Sequence, residues 1–441
     1  MGVYDAMSNA VVGLQAQAYA LQNISGNIAN SSTTGYKSVE TAFEDLLTSS
    51  GTTSSSQNSA SVQARSVTTN TVQGNISATS VSTNMAISGD GYFQVQAKTG
   101  EVDGKAILSS SYYYTRQGDF TMNADGYMTN SAGYYLTGLP IDASTGNVTG
   151  STATPIKIDT GIIPAKGTTT VDYSANLPSS SSVATITAAD MTASTNFPTD
   201  VAASDSDTFV KESLSGGSVT VYDDQGNEVS LNLRWTKDTS GNWNLYYQKD
   251  STATGANAEW SLATTTDFTF DSAGKLTSPT TSSVTLSGLS VDGTSLNSLD
   301  FSYGDSLTNY NSGTNVSQID ISQNGYGAGT YTGLSVSSDG VLTASYSNGK
   351  TVDLYKVGVY SFDGDADLLA VSGNAYQATK GSGSPYLSSS GTIKGSALEA
   401  SNVDITDQFS KMIVTQQAYS ANSKVISTAN NMMQDVLDII R

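Results

Sequence analysis

The sequence contains no cysteine and no histidine. Disulfides, thiolate nucleophiles, zinc–thiolate sites and imidazole bases are therefore excluded. Charge is scarce as well, at 13% of residues, so solubility must rest on Ser, Thr, Asn and Gly. Basic residues are outnumbered, 19 Lys and Arg against 39 Asp and Glu, for a formal net charge of -20. That balance argues against nucleic acid and anionic membranes, which both need basic patches. In a dense assembly the acidic residues are expected to face outward. No apolar run is long enough to span a bilayer. The first basic residue is Lys37, so a cleaved secretory signal, which needs a basic n-region, is not expected. Export that leaves the N-terminus intact reconciles low charge with high Ser and Thr content.

What is present stands at the two ends. Val3, Met7, Ala10, Leu14, Gln17, Leu21, Ile24 and Ile28 alternate spacings of four and three. Ile405, Phe409, Met412, Gln416, Tyr419, Ser423, Ile426, Asn430, Met433, Leu437 and Ile440 do the same. Such spacing puts one stripe on one side of a helix and suits coiled-coil packing, with the polar members setting register. The pattern predicts helices over residues 3–30 and 404–440, each carrying an assembly seam. No charge occurs from Ala6 to Tyr36. A helix uncharged all round expects neighbours all round. Burial inside one globular domain would meet that need, but two matching terminal stripes favour packing between subunits.

Between the ends the signals are those of strands. Asn30–Gly35 is a turn and cap cluster, followed by an amphipathic patch (Val39, Phe43, Leu46, Leu47). The Ser/Thr/Gly run Thr48–Ser56 reads as a hinge, and alternation over Val67–Ile76 as an extended ribbon. Asp90-Gly91 reads as a tight turn between Met85-Ala86-Ile87 and Tyr92–Val95. Short strands follow at Tyr112–Thr115, Phe120–Met122, Tyr127–Thr129 and Tyr134–Thr137. A second β region, with strands such as Val229–Thr236 and Trp243–Gln248, occupies residues 156–319. A third set returns from Asp320 onward, with turns at Asp339-Gly340 and Asn348-Gly349. The expected fold is mainly β with α-helical coiled-coil termini, nested. Residues 1–35 and 402–441 form the paired terminal helices. Residues 36–75 form a linker and ribbon. Residues 76–155 and 320–401 make a discontinuous core β domain, and 156–319 an inserted outer β domain. Termini meeting at one pole allow this without knots.

Candidate chemistry is thin. Asp363, Asp365 and Asp367 imitate a calcium loop, but Leu368 and Asn374 stand where the EF-hand needs Gly and Glu. Gly325–Gly329 lacks the spacing and strand-to-helix context of a dinucleotide loop. The acids sit in turn-like strings with Gly and Asn, where Asp bonds locally. No catalytic, cofactor-binding or metal-binding residue is expected.

The motifs themselves carry a resemblance. The run Leu21–Lys37, containing Asn27, Ile28, Ala29, Asn30, Thr34, Gly35, Tyr36 and Lys37, resembles the N-terminal signature of bacterial flagellar rod and hook axial proteins. Ser82–Phe93 and Tyr114–Phe120, continuing to Tyr127, resemble that family's two core β motifs. Leu398–Asp404, with Ser401, Asn402, Val403 and Asp404, resembles its C-terminal signature, and Met412-Ile413 and Gln416–Tyr419 continue it. The insert (Val219–Asp223, Gly226, Trp243) and the segments Asn324–Gly329 and Tyr346–Gly349 are similar to the hook branch. The chain departs from the family pattern at Ser25-Gly26, Gln408 and Gln417.

The resemblance implies a non-enzymatic subunit that self-assembles into a curved, flexible tube carrying torque from rod to filament. It implies no cofactor and an extracellular place in the flagellum. The implied partners are copies of itself, distal-rod, hook-cap and hook–filament junction proteins, and the flagellar type III export apparatus. The inserted region is expected to tune curvature. The alternatives are a distal-rod or other axial part, or an adhesin-like β protein.

Overall fold

Helices open and close the chain. The computed structural model describes residues 3–47, 59–179, 199–238 and 240–439. The hinge Thr48–Ser56, Ile440 and the side chain of Val3 lie outside the described residues. Helix α1 spans Val3–Ala29, the short α2 spans Ser206–Lys211, and α3 spans Ile405–Ile439. The rest is strand and turn, so the chain is mainly β with helical termini. It divides into two compact units. The first holds Met1–Thr160, Thr332–Ser345 and Thr351–Arg441; the second holds Gly161–Tyr331 and Tyr346–Lys350.

In the first unit, strands from distant parts of the chain share one large sheet. Its order runs Val341–Tyr346, Thr351–Lys356, Tyr135–Pro140, Tyr92–Val102, Lys105–Thr115, Ala375–Gln377, Leu369–Val371. Tyr92–Val102 is central, which is why Tyr92 to Gln96 are buried on both faces. Phe93 meets Phe120 edge-on at 5.6 Å. Tyr92, Tyr114, Phe362, Leu368 and Tyr376 form an aromatic cluster.

One expectation is sharpened here and another fails. Asp90-Gly91 does not close a hairpin. Met85–Ser88 pairs with Thr392–Gly395, while Tyr92–Val102 pairs with other strands, so the turn hands the chain from one sheet to another. Gly91 is required at φ +128, where an added Cβ would stand 2.4 Å from Val359 Cγ1. The ribbon also lies earlier than Val67–Ile76. It is an antiparallel pair of Val39–Leu47 with Ser59–Thr68. Residues after Thr68 turn away because their backbone is used elsewhere: the Gly74 N–H donates to the Glu399 carboxylate at 2.8 Å.

The second unit joins two sheets around one core. In one, Thr170–Asn176 lies parallel to Leu299–Ser302 and Leu307–Thr308 and antiparallel to Ser317–Gln323. The other is antiparallel, in the order Asp200–Ala202, Ala258–Leu262, Trp243–Gln248, Glu228–Lys237, Leu214–Tyr222. Period-two patterning explains the core: Val171, Tyr173 and Ala175 point in, as do Leu231, Leu233 and Trp235. The buried indole N–H of Trp235 donates to the Tyr173 hydroxyl at 2.8 Å, which donates on to Gly216 O at 3.0 Å.

Buried tyrosines set the response to alkali. Burial raises the hydroxyl pKa of Tyr92, Tyr173, Tyr246 and Tyr376, the last to about 12. Above about pH 10 the unfolded chain releases tyrosine protons that the folded chain retains, so stability falls as pH rises. We expect the urea midpoint to decline above about pH 10. A midpoint that held steady to pH ~12 would contradict the burial of these hydroxyls.

Candidate functional site

The residues that carried the resemblance converge where the terminal helices leave the β body. Four segments meet there: residues 33–38, 69–76, 116–118 and 397–404. The centre is Glu399, with no exposed surface. Its Oε1 accepts from Lys37 Nζ at 2.5 Å and from the Gly74 N–H at 2.8 Å; its Oε2 accepts from Arg116 Nη1 at 3.3 Å. The cations are held from behind. Lys37 donates to Val72 O at 2.7 Å, and Arg116 to Gly89 O at 2.8 Å. The Arg116 guanidinium also lies over the Tyr92 ring, 5.5 Å from its centroid. Desolvation pulls the Lys37 pKa below the usual lysine value, and the Glu399 charge opposes it. Gly35 sits at φ +66 so that its N–H reaches Glu399 O, at 2.8 Å, close against the Arg116 backbone.

The other motif residues clasp the two chain ends. Asn27 is 1% exposed and mimics a strand edge for Val39. Its Oδ1 accepts from Val39 N–H at 2.9 Å and its Nδ2 donates to Val39 O at 2.9 Å. Nδ2 also donates to Gln408 Oε1 at 3.1 Å, and the Tyr36 hydroxyl donates to Oδ1 at 3.2 Å. Asn402 accepts from Ser38 N–H at 2.7 Å and donates to Thr69 Oγ1 at 2.9 Å. Asp404 caps α3, accepting from the N–H groups of Thr406 at 2.8 Å and Asp407 at 3.2 Å. Asn30 ends α1 by donating to Gly26 O at 2.9 Å. Thr34 O accepts from Asn374, and Ser401 Oγ from Val403 N–H. Ile28 and Val403 are half-buried, and Ala29 is exposed.

From this junction α1 and α3 run antiparallel: Asn27 meets Gln408, and Gly13 lies against Asn422. The face that α1 turns to α3 within the chain is offset from the expected inter-subunit stripe. The face buried within the chain is Ala10, Gly13, Ala16, Ala20, Ile24 and Asn27. Among the described residues of the expected seam, only Ala10 and Ile24 are buried; Met7, Leu14, Leu21 and Ile28 flank the contact half-buried. Small side chains allow close approach, and a Cβ on Gly13 would stand 2.8 Å from Asn422 Nδ2. The ribbon supports α1 through Tyr19 to Ser66 and Asn23 to Thr41.

On α3 the inward face is Gln408, Met412, Thr415, Asn422, Ile426, Ala429 and Met433. Met412, Ile426 and Met433 of the expected seam lie on it, half-buried. Ile405, Phe409, Tyr419 and Leu437 are exposed, as are Ile413, Val414, Val425 and Met432, which the heptad did not include. Arg116, Glu399 and Gln408 were not singled out as site residues. The only signal for the first two was charge placed in a charge-poor motif. No described helix is long and apolar enough to cross a membrane.

Comparisons with known proteins agree along the whole chain. Residues 7–37 match the flagella basal body rod protein family and 394–439 the flagellar basal body rod FlgEFG protein C-terminal family. Residues 86–176 match the flagellar hook protein FlgE/F/G D1 domain and 190–326 the flagellar basal body protein FlaE D2 domain. The chain is 31% identical to the flagellar hook protein FlgE of Brucella suis over 453 residues, covering all of both chains. It is 29% identical to that of Escherichia coli K12, over 98% of this chain and all of the relative. The fold is similar to a crystal structure of Helicobacter pylori flagellar hook protein FlgE2 (TM-score 0.53, 16% identity, 74% of this chain and all of that one).

The junction makes a direct prediction. Glu399→Gln leaves two buried cations without their counter-charge, which should cost about 3–5 kcal/mol. Circular dichroism of urea unfolding should report that loss. The fluorescence transition should not move, because all three tryptophans, Trp235, Trp243 and Trp260, lie in the second unit. An unchanged first-unit stability would contradict the cluster.

Proposed function

The chain belongs to the flagellar hook protein FlgE family and is a structural subunit of the bacterial flagellar hook, and from that premise we propose that its terminal helices are the seams through which copies assemble into a curved, flexible tube. The observation that carries the reading is the apolar surface of α3. Phe409 is 50% exposed, Ile413 55% and Val414 65%. Ile405, Phe409 and Ile413 follow one another at four-residue steps along one flank of the contact with α1. Val414, Val425 and Met432 line the other flank, since Phe409 and Val414 are separated by about 140° at 3.6 residues per turn. One neighbouring helix cannot cover both flanks. Two neighbours per helix favour an extended lattice over a closed pair.

Each such side chain contributes roughly 1.5–3 kcal/mol when fully buried. Repeated in every subunit, that is enough to drive assembly. The helix, 35 residues long, spans roughly 52 Å at 1.5 Å per residue, which suits the wall of an inner tube. Leu14, Leu21 and Ile28 on α1 are half-buried and offer further apolar surface. The β units would then lie outside the helices, where Ser-, Thr- and Asn-rich surfaces exchange direct for water-mediated bonds as the tube bends. On this reading the subunit reaches an extracellular site through the flagellar export apparatus, and abuts distal-rod, cap and junction proteins.

Electron microscopy of purified protein tests it. Full-length chain should form curved tubes, and a chain lacking residues 1–30 and 405–441 should stay monomeric. Phe409→Asp with Val414→Asp should abolish tubes while leaving the β units folded. Tubes from the truncated chain would refute the assignment of the seams, and straight tubes from the full chain would contradict the proposed curvature.

A further inference from the structure

We propose that Lys37, Arg116 and Glu399 form a torsional clamp that locks the terminal helices to the β body, and that their role is rigidity rather than stability. The proposal rests on the tubular assembly described above. The three side chains are 1%, 2% and 0% exposed. They lie between the last turn of α1 and the first of α3, the place through which any twist must pass from helices to β body. Lys37 follows α1 by eight residues, and Glu399 precedes α3 by six. Arg116 directly follows the core strand Lys105–Thr115.

Burying such a cluster is a poor way to gain stability. Removing ions from water offsets most of their attraction, and apolar replacements of similar volume are often neutral or stabilising. Apolar packing, however, has no direction. Hydrogen bonds do, and these bind four separate segments through one carboxylate. Glu399 holds Lys37 and the Gly74 N–H on one oxygen and Arg116 on the other. Lys37 and Arg116 carry the link on to Val72 O and Gly89 O. Rotation of either helix root about the body would have to break bonds in a site that water does not reach.

The test compares tubes of full-length protein. Their torsional stiffness is read from the relaxation of a bead tethered through the polymer, and melting temperature is measured alongside. In the triple variant Lys37→Met, Arg116→Met, Glu399→Leu, melting should stay within about 5 °C of wild type, while stiffness falls several-fold. Arg116→Lys keeps the charge but cannot fork between Glu399 and Gly89 O. It should assemble fully and give intermediate stiffness. Wild-type stiffness in both variants overturns the clamp. If the triple variant does not assemble, Arg116→Lys decides: softened tubes support the clamp, and unchanged tubes overturn it. Failure of wild-type protein to form tubes would count against the assembly reading instead.

Discussion

Everything in this chain depends on its two ends leaving the β body through one gate, and a single carboxylate closes that gate. Glu399 is the point at which the N-terminal segment, the ribbon exit, the core strand and the C-terminal segment are bonded together. Because it is buried, each bond it makes is expensive to leave unmade. The path of α1 and the path of α3 are therefore fixed relative to each other before any helix–helix packing is counted. Asn27, Asn402 and Asp404 then complete the junction, each by satisfying backbone groups that a helix end or a sheet edge would otherwise leave open.

The helices that emerge use their surfaces unequally. The face of α1 turned to α3 is built mostly from Ala and Gly, so the two backbones approach closely and bury few large side chains. The large apolar residues stand on the flanks. An intramolecular pair of this kind sets direction and register while keeping most of its apolar surface for other copies. This is a physical reason for a subunit to carry matching patterns at opposite ends of a long chain.

Much of this was legible in the residues. The helices, the strand-rich middle and the Trp243–Gln248 strand follow from periodicity and turn residues. The signature motifs identified the family. The face that α1 turns to α3 was not legible, because a heptad count weights Leu and Ile and passes over Gly13, Ala16 and Ala20. Asp90-Gly91 marked the turn but left the pairing open, because a tight turn specifies a change of direction but not which strands pair across it. Alternation over Val67–Ile76 misled because Gly74 and its neighbours give their backbone bonds to side chains. The ion cluster was hidden for a related reason: burial of Lys37, Arg116 and Glu399 arises only when segments hundreds of residues apart meet.

The most direct measurement is hydrogen exchange along residues 405–439 in the free subunit and in the assembled tube. The account predicts fast exchange over this helix in the monomer, where α1 covers one face only and the apolar flanks stay bare, since most helical stability comes from tertiary packing of the apolar surface, and strong protection in the tube. Equal protection in both states would mean that the helix is already complete within one chain, and would contradict the claim that other copies complete it.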